Sequence, residues 1–347
     1  MRLTPQTARQ LRRFRQMRRG WWSFLALAAL TVLALLGELV ANNRALVVRH
    51  QGRWHFPTYG AQLPGTTFGL GYSYETDYRE LQRTLHAAGG ADFVLMPLVP
   101  YHPNEIDVPA GAKPTRPPSA AERHYLGTDT IGRDILARLF YGFRVALVVS
   151  LSFLAGTYLI GIALGCAMGW FGGWFDLLMQ RVIEVWSNLP FLLIVMIISA
   201  VLRPTVPVLV TVFIAFSWMG MTYYMRTGAY REKAREYATA AQVLGAGPGR
   251  IIFRHILPNL LSTLITFVPF TIAGAIELLT ALDFLGFGIP PPTPSWGELL
   301  RQGTQNLNAP WIVSSAFGAL VLILLLVSFV GEAVREAFDP KKFTHYL

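Results

Sequence analysis

A chain of 347 residues is long enough for two soluble domains, but its composition excludes that arrangement. Charged residues make up 14% of it and the AVILMFWYC class 53%, whereas a soluble domain carries roughly 25% charged residues. Lys and Arg outnumber Asp and Glu by 30 to 20, and in so apolar a chain the surplus points to a membrane face and removes nucleic acid from the expected partners. The lone cysteine, Cys166, lies in an apolar run and reads as a packing residue, with no intrachain disulfide possible.

Residues 1–20 form a basic leader with Arg2, Arg9, Arg12, Arg13, Arg15, Arg18 and Arg19. The apolar run 21–41 follows it. That run is too long for the core of a cleaved signal peptide, so it reads as a retained first span with a cytoplasmic N-terminus. Residues 42–144 then form a long periplasmic segment. Aromatics, Gly and Pro in 53–60 and 68–78 predict short strands, turns and surface loops, and 111–118 reads as an extended connector. Two readings stand for this segment, contact with a soluble partner or a cap over the outer mouth. Its last part, from 126, predicts a turn at Gly127 and Thr128. Asp129, Arg133 and Asp134 are then expected to pair within an interfacial helix that leads into the membrane.

Further spans are expected at 145–170, 183–202, 206–225, 260–282 and 311–331, which makes six with both chain ends on one side. This threading puts Arg226, Arg231, Lys233, Arg235, Arg250 and Arg254 in one cytoplasmic loop, 226–259, and Arg335, Lys341 and Lys342 in a cytoplasmic tail, 332–347. Arg203 and Arg301 alone face outward in the short loops, as the positive-inside rule requires. The fold class is therefore all-α, a membrane protein with a five-helix core over 145–331. Gly161, Gly165 and Gly169 leave a bare ridge for close approach of another helix. Pro190 and Pro269 predict kinks in the third and fifth spans.

The cytoplasmic loop holds a short helix over 236–244, with Tyr237, Ala241 and Leu244 on one face, small Ala240 beside them and Gly245 as its C-terminal cap. A second helix is expected to start near Pro248 and to end before Pro258. Two short helices at a glycine corner make a knob whose alanines let it sit deep in a groove on another protein.

This loop resembles the EAA loop of ABC importer permeases, with Ala240, Ala241, Gly245, Leu257 and Pro258 at the pattern positions. Thr239 stands where that pattern has glutamate and His255 where it often has isoleucine, while Glu236 and Tyr237 match the start seen in peptide-importer permeases. Residues 126–134 (LGTDTIGRD) and 282–300 (LDFLGFGIPPPTPSWGELL) resemble two signatures of the dipeptide/oligopeptide group, and the likeness runs from about residue 125 to the C-terminus. Asp283 replaces the usual serine. Together with the arginine-rich leader and the entry to the periplasmic segment, it resembles the Yej-type permeases, associated with uptake of peptides and microcin C.

The resemblance implies the type I ABC importer permease fold and an inner-membrane subunit that catalyses nothing itself. It implies a homologous permease as heterodimer partner, and an ATPase subunit or tandem ATPase that binds ATP and Mg. A periplasmic binding protein would deliver the peptide. It further implies that Glu236, Tyr237, Ala240, Ala241, Leu244 and Gly245 couple to the ATPase. The chain has no GxxxxGK[ST] loop, HExxH or GxSxG of its own. An autonomous channel or secondary carrier is the alternative reading.

Carboxylates in apolar runs are costly. Glu38, Glu184 and Glu332 lie near span ends and read as interfacial. Glu277 is deeper and is expected to line the translocation path or to pair with a neighbouring subunit. Asp283, at the end of the fifth span, is expected to cap the following turn or to form part of a gate.

Overall fold

A computed structural model describes residues 5–89 and 91–338. The leader is a helix, α1 (Pro5–Gln16), and α2 (Arg18–Leu35) runs on into a short turn of helix, α3 (Gly37–Val40). Phe14 of α1 is buried against Ala333 and Ala337 and stands edge-on to Trp21, while Arg12, Arg15, Arg18 and Arg19 stay exposed. Arg2, Lys341 and Lys342, which the sequence assigns to the inside, lie outside the described residues.

Between the first and second spans sits a small lobe. The hairpin of β1 (Val47–His50) and β2 (Arg53–His55) turns through Gln51 and Gly52, both with left-handed backbone (φ 50° and 75°), the geometry a two-residue hairpin needs. β3 (Phe93–Leu95) pairs antiparallel on the other side of β1, giving the order β2-β1-β3. Of these strands only β2 falls in a stretch read as strand-forming; β1 and β3 lie outside such stretches, 68–78 holds turns and bends rather than a strand, and a helix that the sequence reading did not include, α4 (Tyr78–Ala88), follows. Asp77 caps it by accepting from the amides of Arg79 (2.9 Å) and Glu80 (3.2 Å). Val48, Phe68, Tyr78, Leu81 and Val94 make the lobe's own core.

The membrane part is built from α5 (Ile135–Phe171), α6 (Gly173–Ser187), α7 (Phe191–Val201), α8 (Val206–Lys233), α9 (Glu236–Val243), α10 (Pro248–Ile251), α11 (Leu257–Leu285), α12 (Trp296–Gln305) and α13 (Pro310–Phe338). Among the described residues, α5, α8, α13 and the continuous run Pro248–Leu285 are each long and apolar enough to cross a membrane. The α6–α7 pair does so only as one span bent by 68°. By length and apolarity the described residues thus give four such spans, or five with that pair; α2, the expected first span, begins with Arg18 and Arg19 and is not among them.

Several boundaries move. The third span starts earlier than expected and is broken at Pro190, which takes extended backbone and precedes α7. The helix expected to end before Pro258 does not end. Residues Ile252–Ile256 form a π-turn in which the Leu257 amide reaches back five residues to Ile252, and this wider turn admits the proline ring. No separate interfacial helix precedes the second span, since α5 begins at Ile135 and runs unbroken to Phe171.

The glycine ridge behaves as read. A Cβ on Gly161, Gly165 or Gly169 would stand 2.5–2.6 Å from a side-chain Cβ of Met221, Met225 or Ala229, so α8 lies directly on that face of α5. Cys166 is buried beside it. Two apolar cores result. One joins α5, α8, α11, α12 and α13. The other, around Met225, Ala229, Ala238, Ile251 and Leu260, joins the ends of α5, α8 and α11 to α9.

Candidate functional site

Helix α9 divides the residues assigned to coupling between its two faces. Tyr237, Ala238 and Ala241 pack into the second core, and the Tyr237 hydroxyl donates to Glu232 (2.7 Å). Glu236, Thr239, Ala240, Val243 and Leu244 lie on the opposite, exposed side and line a shallow concavity with Ala234. Leu244 is thus not on the face of Tyr237 and Ala241. The helix ends at Val243, and Leu244 belongs to the capping turn (ψ 7°), where helical periodicity no longer sets direction. Val243 and Leu244 are 82% and 86% exposed.

Gly245 is the corner. Its φ of +81° is costly for any residue with a Cβ. Its amide donates to Gln242 (3.0 Å) and the Ala246 amide to Ala241 (3.0 Å), the paired bonds of a Schellman cap. The base of the knob is tied to the spans by polar contacts. Arg226 grips Asp176 of α6 with two bonds (2.5 and 2.7 Å), Lys233 donates to the Trp170 carbonyl of α5 (2.5 Å), and Arg235 pairs with Glu232 (2.9 Å). The base of α9 is therefore connected by packing and polar contacts to α5, α6, α8 and α11.

The two signature stretches, far apart in the chain, meet at the junction of lobe and spans. Arg133 donates to Asp129 (2.7 Å) and to Glu298 of α12 (2.8 Å), and Arg138 donates to the same Glu298 and to the Pro103 carbonyl (3.0 Å). Gln302 adds a further bond to Glu298 (2.9 Å). The expected Asp129–Arg133 pair exists, but in a turn before the helix, and Asp134 instead caps α5 by accepting from the Ala137 amide (2.8 Å). Sequence reading missed Arg138 and Glu298. Their one signal is a pair of charges inside otherwise apolar helix ends.

Beside this lock, His124 is fully buried between Asp134 (2.7 Å) and Asp107 (3.1 Å) and stacks on Tyr101 (4.0 Å between centroids). Burial pulls the imidazole's pKa down, but its bonds to Asp107 and Asp134 outweigh that and raise it. Hydrogen bonding to His124 first, and to Arg116 (2.6 Å) second, holds the Asp107 carboxyl well below its ordinary range.

Asp283 and Glu277, both on α11, differ sharply. Asp283 is buried and accepts from the Ile289 amide (2.7 Å) and the Ser295 hydroxyl (2.5 Å), so it caps the turn after α11. Glu277 is exposed and makes no hydrogen bond or ion pair among the described residues. Of the other carboxylates, Glu38 meets Arg144 (2.7 Å), Glu184 meets Arg181 (2.5 Å), and Glu332 is exposed.

Residues 161–344 match the family described as binding-protein-dependent transport system inner membrane component. The chain is 39% identical to the peptidoglycan transport system permease protein YejE of Agrobacterium fabrum, covering 98% of this chain and 94% of that one. It is 38% identical to the inner membrane ABC transporter permease protein YejE of Escherichia coli (98% and 99%). The dipeptide transport system permease protein DppC of Alkalihalophilus pseudofirmus is 35% identical over 65% of this chain and 73% of its own.

Proposed function

The chain belongs to the family of binding-protein-dependent transport system inner membrane components and is a multi-pass permease subunit of an inner-membrane ABC importer, and we propose that its cargo is peptides or peptide-like compounds, moved from periplasm to cytoplasm. The transport systems that name its relatives, for peptidoglycan and dipeptides, support that cargo class. In this reading both termini and the knob are cytoplasmic, the lobe is periplasmic, and a homologous permease completes the path. ATP and Mg are bound by a separate ATPase chain.

The observation that carries the reading is α9. One face is packed into a core shared with three spans, and the other presents Ala240, Val243 and Leu244 to a partner. ATP-driven closure of the ATPase subunits would press on that face and rock the spans between outward and inward openings, with Glu236, Thr239 and Leu244 at the contact and Tyr237, Ala241 and Gly245 holding its shape. Glu277 supports a place on the translocation path or against the second permease, because an unpaired carboxylate is not stable against lipid.

The test is Gly245→Arg, assayed by copurification with the ATPase chains and by ATP-dependent uptake of labelled peptides. A side chain at φ +81° deforms the corner and a guanidinium projects from it, so insertion should persist while ATPase capture or coupling falls by at least tenfold. Normal ATP-driven uptake by this variant would sink the coupling role.

A further inference from the structure

Between α5, α8 and α11 lies a cavity of about 460 Å³, and no Asp, Glu, Lys or Arg lines it. Its size is within the roughly 300–1,000 Å³ of small-ligand pockets. Its walls carry hydroxyls instead. Tyr158 of α5 and Thr271 of α11 face each other across it (3.3 Å), and Ser217 of α8 has no hydrogen-bond partner among the described residues.

Thr157 is the unusual member. Buried threonines elsewhere in the spans return their hydroxyl to the carbonyl four residues back, as Thr222 does to Trp218 (3.0 Å) and Thr280 to Ile276 (2.8 Å). Thr157 is only 4% exposed, yet its hydroxyl bonds to nothing. A buried polar group left unpaired is destabilising unless something supplies its partner.

The glycines of the cavity point the same way. A Cβ on Gly161, Gly165 or Gly169 would collide with α8, but on Gly220 or Gly274 it would meet nothing within 4 Å. The packing of this chain does not require those two glycines. Their effect is to enlarge the cavity.

We infer that this cavity is a binding subsite for the backbone of a peptide in transit, an inference that rests on the peptide-permease reading. Hydroxyl donors and acceptors with no fixed charge match the N–H and C=O groups that every peptide shares, and they replace the water those groups lose inside the membrane. The aromatic faces of Tyr224 and Phe267 accept varied side chains without selecting a charge. A lipid acyl chain would fill the volume but would leave Thr157 and Ser217 unsatisfied.

The experiment uses the full importer, with its second permease, ATPase chains and binding protein, in proteoliposomes, and follows uptake of a set of labelled tripeptides of different side chains. Thr157→Val keeps the shape and removes the hydroxyl. It should raise the KM for uptake about three- to tenfold, the worth of one hydrogen bond, by a similar factor for every tripeptide, while thermal stability is unchanged or higher. A purely structural hydroxyl would not produce that combination. Gly274→Leu should fill the cavity and abolish uptake while the complex still copurifies.

Wild-type complex that imports no peptide overturns the peptide reading and this inference with it. Wild-type uptake matched by both variants overturns the inference alone. So does a KM change confined to one class of side chain, or a Gly274→Leu chain that no longer assembles with the second permease, since the cavity would then seat a protein side chain.

Discussion

The junction of lobe and spans and the knob at α9 are built on opposite principles. At the junction the buried charges are paired within the chain, although the Arg138 Nε has no hydrogen bond and only an ion-pair contact with Asp129 (3.8 Å). Asp129 and Arg138 are wholly buried, and Glu298 receives bonds from Arg133, Arg138 and Gln302. At the knob the apolar side chains of Val243 and Leu244 stand largely in the open. A densely paired site favours one geometry, because any shift breaks several bonds in a low-dielectric setting. An unsaturated apolar face with a rigid back awaits a partner. On the coupling role proposed above, the junction would belong to what stays fixed in the transport cycle and the knob to what receives force.

The sharpest way to break this contrast is at the junction. Arg138→Ala leaves the Glu298 carboxylate buried with one cation fewer, and a broken buried pair costs about 3–5 kcal/mol. A large drop in thermal stability of the purified chain is expected. Arg138→Met combined with Glu298→Leu should recover a good part of it, because two apolar groups need no partners. A smaller loss should follow Gly165→Val, whose Cβ would stand 2.5 Å from both Met225 Cβ and the Thr222 carbonyl. Overpacking of this kind costs about 1–3 kcal/mol, read as lowered thermal stability with the lobe intact.

His124 offers a gentler lever, tuned by pH. A histidine whose pKa is raised by folding stabilises fully below its unfolded value of about 6.5, and the contribution is lost as pH rises through the folded value. Asp107, with its pKa lowered, behaves in the opposite sense. Its contribution is present above the ordinary aspartate range and is lost only as pH falls through the depressed value. The lobe should therefore resist proteolysis better at pH 6 than at pH 8. His124→Asn should flatten that difference, and an unchanged pH profile in the variant would show that the His124 bonds do not hold the lobe in place.

What the sequence discloses and what it hides follow from distance along the chain. Spans, the glycine ridge and the corner at Gly245 depend on neighbours within a few residues, so their patterns can be read directly. The break at Pro190 is legible, but its 68° bend is not. The continuous helix past Pro258 hides a π-turn that no local pattern announces. The ionic lock joins Arg133 and Arg138 to Glu298 across 160 residues or more, so only the fold brings it together. Read alone, Asp129 and Arg133 look like an ordinary pair four apart. At the knob the short helix and its glycine corner are legible, but the direction of Leu244 is not, because it lies one residue beyond the helix that defines the face.

The smallest effect on the chain itself should come from Leu244→Asp, and that makes it the most discriminating change. Leu244 is exposed and supports no core, so stability should move by no more than about 0.5 kcal/mol, as for a surface substitution. If the face exists to be covered, however, a carboxylate there must be desolvated on docking, and a buried unpaired charge is among the costliest groups an interface can carry. Copurification with the ATPase chains should then fall steeply while the melting curve stays put. Thr239→Asp, on the same face, should act in the same direction, whereas Tyr237→Phe, which loses the hydroxyl's bonds to Glu232 and Asn259, should loosen the knob without repelling the partner. Equal ATPase capture by Leu244→Asp and wild type would mean that the exposed face is not the one the partner covers, and the contrast between a densely paired junction and a receptive knob would lose its functional meaning.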